Sequence, residues 1–273
     1  MGWKYYNHAM IPDCAPHEPV DTTPIDDGSL WNTAGSPLLA RWTSDFDCGY
    51  EANWWYCLKD TPFDIAALPS KKRYEINKGK KNFTVKEIEP VQNTEGILAV
   101  QRNAWASYPE EYRPMFDESK LRTDIQEWCS YRVFGAFSVE TNELCAYACL
   151  IEHQSWVDFA VLKANPASEK LAVNAAIVAG ICEFYSDRLS REFYICDGER
   201  NVVHQTYFQD YLIKYFDFRR AYCKLNISYR AAVSIAVGCL YPFRNMIHRH
   251  NKSKLFSKID AVLLMEEISR TGK

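Results

Sequence analysis

The sequence predicts an α/β (α+β) fold: a mixed, mostly antiparallel sheet with helices on both faces, an N-terminal arm before it and a C-terminal helical extension after it. Three observations carry that expectation. Phe134–Val139 and Leu144–Ile151 are apolar runs flanking Glu140-Thr141-Asn142-Glu143, which is the pattern of an antiparallel hairpin. Val157–Leu162 and Phe193–Cys196 are short apolar runs joined by a helical pattern, so they should lie side by side and parallel. Phe83–Ile88 alternates Phe, Val and Ile with Thr, Lys and Glu, as a half-buried strand does.

Taken in order, residues 1–53 hold Pro12, Pro16, Pro19, Pro24 and Pro37 with little periodicity and read as an irregular arm. Residues 54–230 read as the main domain and 231–273 as a helical extension. Trp54 to Leu58 form an aromatic strand ended by Lys59-Asp60 and Pro62. A helix should start near Ser70 as N-cap and stop at Gly79. Thr94–Ser107 places Ile97, Leu98, Val100, Ala104 and Trp105 at helical spacing. Asn165-Pro166 opens another helix, with Asn as the cap and Pro in the first turn, where it costs no hydrogen bond. Leu171, Asn174, Val178, Ile181 and Tyr185 continue it. Asp197-Gly198 should break the strand after Cys196. The tail divides into an apolar helix near 231–243, a basic stretch, and a helix near 255–268 with Phe256, Ile259, Val262 and Leu263 as its buried stripe.

With nearly half its residues hydrophobic, a chain of 273 residues can bury a large core, and its net charge of −3 gives no case for DNA binding. The ten cysteines contain no CxxC pair, and several lie inside apolar runs, so reduced core thiols are expected and no metal site. MGWKYYNHAM lacks the apolar run of a signal peptide, and Ala231–Tyr241 is too short to span a bilayer; the expected location is cytoplasmic.

Chemistry is expected at the end of the 193–196 strand, because ligands in α/β sheets gather at strand carboxyl ends next to helix N-termini. Asp197, Glu199, Arg200, Asn201 and His204 cluster there. His204 is the candidate general base, with Asp197 and Glu199 as its catalytic partners, since imidazole titrates near neutrality. Arg200, Asn174, Gln209 and Trp55 are the candidate substrate-binding residues; Asn174 and Gln209 project amides from otherwise apolar helix faces, and buried amides need partners. Lys71, Arg73, Lys78, Lys80 and Lys81, together with Lys170, are the candidate anion or donor clamp. The basic stretch 244–254 beside the apolar helix could rest on an anionic membrane surface.

The element order from residue 71 onward, with HQTYFQDYLIKYFDF leading into a final strand, resembles the GNAT (Gcn5-related N-acetyltransferase) fold. The helix KKRYEINKGKKNF just before the first strand is similar to that of the FemAB-type aminoacyltransferase branch. The resemblance covers about residues 54–230. It implies transfer of an acyl or aminoacyl group onto an amine or hydroxyl, in the setting of cell-envelope or surface-polysaccharide assembly. The implied donor is acyl-CoA or a tRNA-linked aminoacyl group, with RNA contact through 71–81. Two departures stand out. Where GNAT enzymes use a glycine-rich pyrophosphate turn, this chain has Glu169-Lys170-Leu171-Ala172-Val173-Asn174. Where many place a general-acid Tyr, it has Ile213. The alternative reading is a non-catalytic ligand-binding module on the same fold.

Overall fold

The computed structural model describes residues 2–108, 110, 113–201, 207–250 and 253–272. The element order begins β1 (Gly2–Tyr6), β2 (Ala9–Asp13), α1 (Thr23–Asp26), β3 (Leu39–Ser44), β4 (Trp54–Lys59), α2 (Ser70–Asn82), β5 (Phe83–Glu87), α3 (Thr94–Ala106) and α4 (Glu118–Glu127). It continues with β6 (Arg132–Ser138), β7 (Leu144–Glu152), β8 (Trp156–Ala164), α5 (Pro166–Glu169), α6 (Val173–Tyr185), β9 (Tyr194–Glu199) and α7 (Tyr207–Phe216). Strand β10 (Arg219–Tyr229) then leads to α8 (Ala231–Leu240), α9 (Arg244–Arg249) and α10 (Lys254–Thr271). The chain forms two compact units. The first is Met1–Cys57, Glu199–Gln209 and Arg220–Lys273; the second is Leu58–Gly198 and Asp210–Arg219.

The first unit runs β1-β2-β3-β10-β4 across its sheet. β1 and β2 make a hairpin whose two-residue turn, Asn7-His8, has both φ angles positive, as a primed turn needs. β3 pairs antiparallel with β10, from Leu39 opposite Tyr229 to Ser44 opposite Lys224. The arm expected to be irregular therefore supplies three strands. Pro12 did not prevent this: β2 pairs with β3 only at Ala9 and Met10, so no ladder bond is asked of Pro12 on that side. Met265 and Ile268 of α10 pack with Leu39, Trp54, Cys223 and Leu225. Of the expected α10 stripe, Leu263 is buried and Ile259 and Val262 pack beside it, while Phe256 is exposed; the stripe runs on through Met265 and Ile268. The basic stretch contains a helix of its own, α9.

The second unit runs β9-β8-β7-β6-β5. Neighbours are antiparallel except β8 and β9, which are parallel with Val157 opposite Ile195, as expected for strands joined by a helix. The β6–β7 hairpin pairs Val133 with Cys149 and Gly135 with Tyr147. Strand alternation puts helices on both faces. Val133, Tyr147 and Cys149 pack with Ile97, Leu98 and Val100 of α3 and with Leu121 and Ile125 of α4. Phe134, one residue on, meets Phe184 of α6 on the other face.

Three boundaries differ from the sequence expectation. α2 runs through Gly79 to Asn82, because Gly79 is held in a close helix–helix contact described below. The helix after Asn165 is broken in two: Asn165 does cap α5, accepting from the Ala167 N–H at 3.2 Å, but Ala172 takes a left-handed backbone (φ 65°) and α6 starts afresh. β9 is not broken at Asp197-Gly198; it continues to Glu199, with Gly198 absorbing a φ of +83° that favours glycine.

Candidate functional site

In the second unit, Asn174 lies in the first turn of α6 and Lys170 just before it. α2 lies across that turn. A Cβ built on Gly79 would sit 2.5 Å from the Ala172 carbonyl oxygen and 2.8 Å from the Ala176 nitrogen, so only glycine permits this approach. The side-chain oxygen of Asn174, in that same turn, is buried and has no hydrogen-bond partner. An orphaned acceptor of this kind invites an N–H or O–H donor from a ligand. Lys71, Arg73, Lys81 and Lys170 are exposed and Lys78 half-buried around these helices. Their roles diverge. Lys80 pairs with Glu183 of α6 at 2.6 Å, and the Arg73 guanidinium donates to the Ala66 carbonyl at 3.0 Å. Asp197 stands half-buried on β9.

In the first unit, Glu199, Arg200, Gln209 and Trp55 come together. The carboxylate of Glu199 accepts from the Arg41 guanidinium and, at 3.0 Å, from the Tyr56 hydroxyl, which lies 3.3 Å from Thr43 Oγ1. The Gln209 amide donates to the Glu199 carbonyl at 3.2 Å. The Arg200 N–H donates to the Trp55 carbonyl at 2.9 Å, and its guanidinium to the Asn53 carbonyl at 2.5 Å. Arg220 stacks over the Trp55 ring at 4.8 Å. Burial, and then repulsion from Arg220, lowers the Arg200 pKa. A negative group near Arg200 and Arg220 would relieve that repulsion. His204, the expected general base, lies outside the described residues.

Sequence reasoning missed three residues that belong with the first unit's group, and misread a fourth elsewhere. Arg41, Tyr56 and Arg220 come from strands far apart in the chain, and no local motif marks them. Lys59 was read as a strand terminator, yet it is 1% exposed; its ammonium donates to Thr61 Oγ1 at 2.5 Å and reaches Asp217 at 3.4 Å. Beside it in sequence, Asp60 is held by Arg219 through contacts of 2.6–3.1 Å. A run of Lys-Asp after aromatics ordinarily signals solvent; here both side chains are buried by the fold. Among the described residues, no cluster of His, Cys, Asp or Glu could hold a metal ion.

No protein-family model matches the sequence, and no curated protein matches it. Solved structures do resemble it. L-PGS from Bacillus licheniformis superposes with a TM-score of 0.52 at 11% identity, covering 99% of this chain and 86% of that one. The C-terminal DUF2156 domain of a protein assigned as a lysylphosphatidylglycerol synthetase of Agrobacterium fabrum gives 0.50 at 12% identity, covering 86% and 82%. FemX gives 0.48 at 8% identity, covering 72% and 73%. At such identities the likeness is one of fold: this chain has a GNAT/FemAB-like fold, similar to L-PGS and to the DUF2156 domain.

Proposed function

We propose that this chain is an acyltransferase that moves an aminoacyl group from a tRNA-linked donor, rather than an acyl group from CoA, onto an amine or hydroxyl. The observation that carries the donor choice is the contact of Gly79 with the first turn of α6. A CoA pyrophosphate needs bare backbone N–H groups at such a helix start. Here the α2 backbone occupies that approach, and the turn carries side chains where glycines would leave room. The exposed cations Lys71, Arg73, Lys81 and Lys170, with Lys78, suit a polyphosphate chain such as tRNA instead.

In the reaction, the acceptor nitrogen or oxygen bonds to the aminoacyl carbonyl carbon while the ester C–O bond to the tRNA ribose breaks. The acceptor's proton passes to a base and then to the departing ribose oxygen. His204 and Asp197 are the candidates for that transfer. Within the second unit Asn174 Oδ1 accepts from the aminoacyl ammonium; within the first, Arg200 and Arg220 suit an anionic group. An envelope lipid or surface-polysaccharide precursor fits that acceptor class, in keeping with the lysyl-lipid named for the Agrobacterium relative. The second reading, a non-catalytic binding module, is favoured by one feature: the Glu199 carboxylate is already engaged by Arg41 and Tyr56.

Filter binding with bulk aminoacyl-tRNA tests the donor. Retention should fall steeply with salt and drop for Lys71→Glu, Lys78→Glu and Lys81→Glu. With the acceptor present, His204→Ala should slow transfer by about two orders of magnitude, whereas Lys78→Ala should raise the donor requirement and spare saturated turnover. Low-micromolar acetyl-CoA affinity by titration calorimetry would overturn the donor assignment. Retained tRNA with no transfer to any envelope extract would favour the binding module.

A further inference from the structure

The C-terminal helices carry a surface that acyl transfer does not use. Helix α8 is AAVSIAVGCL, apolar around its whole circumference. Val233, Val237 and Leu240 face inward, clustered with Ile247 of α9 and Leu263 of α10. Ile235 and Cys239 lie about 200° and about 240° round the helix from Val233, on the opposite side. Ile235 is 71% exposed, and only Val237 of the ten residues is buried. The open apolar surface continues through Phe243 (56% exposed), Met246 (58%) and Leu255 (67%). A helix apolar on every side is ordinarily enclosed, and patches of this kind mark interaction surfaces.

Charge identifies the partner. From Arg230 to Ile259 the chain has six Lys and Arg and no acidic residue, although its overall charge is −3. Arg244 pairs with Glu267 of α10, while Arg230, Arg249 and Lys258 are exposed. A second copy docked here about a two-fold axis would set these cations against one another. An anionic lipid surface satisfies both the apolar side chains and the cations. No helix among the described residues is long and apolar enough to cross a membrane, and docking needs none.

We propose that the α8–α10 face docks peripherally on an anionic membrane, with Ile235, Cys239, Phe243 and Met246 entering the headgroup boundary and Arg230, Arg249 and Lys258 meeting lipid phosphates. The proposal holds whether or not the chain is a transferase.

The test is co-sedimentation of the full chain with phosphatidylglycerol–phosphatidylcholine vesicles and with phosphatidylcholine alone. Binding to the anionic vesicles should be at least ~10-fold tighter and should weaken as salt rises. Cys239, exposed on α8, is a built-in probe: maleimide should label it quickly in solution and slowly on anionic vesicles. Ile235→Asp with Phe243→Asp should abolish sedimentation while leaving the melting temperature unchanged, since both side chains are exposed. Arg249→Glu should weaken binding without removing it. Equal binding to both vesicle types, or to neither, would overturn the proposal. So would a dimeric mass by light scattering that Ile235→Asp converts to monomer, with Cys239 protected in the absence of lipid; that result would assign the face to a second copy.

Discussion

The sharpest test of the architecture is a single methyl group. Alanine in place of glycine inside a helix ordinarily stabilises by roughly 0.5–1 kcal/mol, because glycine loses more backbone freedom on folding. At Gly79 the added Cβ would lie 2.5 Å from Ala172 O, 2.8 Å from Ala176 N and 3.1 Å from Ala176 Cβ. Non-bonded heavy atoms prefer about 3.5–4 Å, so the overlap approaches 1 Å. Two of the three atoms are backbone in the first turn of α6 and cannot rotate away. Overpacking of this kind costs about 1–3 kcal/mol, and the immobility of the neighbours puts Gly79→Ala in the upper half of that range. Subtracting the helix gain leaves a net loss of about 1–2.5 kcal/mol, a fall of roughly 2–10 °C in melting temperature for a chain of this size. Gly238 provides the control. It lies in the exposed α8, a Cβ there meets nothing within 4 Å, and Gly238→Ala should stabilise by about 0.5–1 kcal/mol. The assay is thermal and urea unfolding of both variants beside the native chain. Equal or greater stability of Gly79→Ala would refute the claim that the α2–α6 approach is backbone-limited, and with it the argument about the α6 turn.

Two further outcomes follow from side-chain environments. Burial raises the pKa of Glu152, but hydrogen bonds from Arg188, Arg132 and Tyr185 outweigh it and hold the carboxyl below the ordinary range. A carboxylate with a lowered folded pKa contributes stability above its unfolded value of about 4.3 and loses it as pH falls through the folded value. The stability gap between the native chain and Glu152→Gln should therefore be open at neutral pH and close in acid; a gap constant with pH in urea titrations would contradict the ion network. Among the cysteines, Cys129 and Cys239 are exposed, while Cys57, Cys145, Cys149, Cys182, Cys196 and Cys223 are buried, and burial pushes the Cys182 thiol up to about 12. A brief iodoacetamide pulse read by peptide mass spectrometry should label the first two and spare the buried six until the protein is unfolded.

The elements that were legible in the sequence are those whose signal is local. The β6–β7 hairpin shows as two apolar runs around a polar turn, and the Asn165 cap shows as Asn-Pro before a helical pattern. α4 was not seen because only Leu121 and Ile125 of its residues are buried, a stripe too thin to register as periodicity. Gly79 looked like a helix stop because glycine disfavours helix in isolation; the contact with α6, roughly ninety residues downstream, reverses that preference. Asp197-Gly198 looked like a break for a similar reason. A left-handed glycine can be accommodated within a strand, and β9 runs on to Glu199.

Glu199 shows where local reading stops. Its position at a strand end beside a helix marks it as a catalytic candidate, and nothing nearby in the chain argues otherwise. Its partners, Arg41 and Tyr56, lie 158 and 143 residues upstream, so no spacing rule could connect them. With its carboxylate oxygens accepting from those two donors, and its carbonyl accepting from Gln209, Glu199 acts as the hub of the first unit's polar network. A hub of this kind holds the backbone of the next residue in place, and the next residue is Arg200. Fixing Arg200 against the Trp55 and Asn53 carbonyls keeps its guanidinium near that of Arg220 despite their mutual repulsion, which is the arrangement an anion would stabilise. On the function proposed above, Glu199 serves to position Arg200 rather than to carry the proton itself.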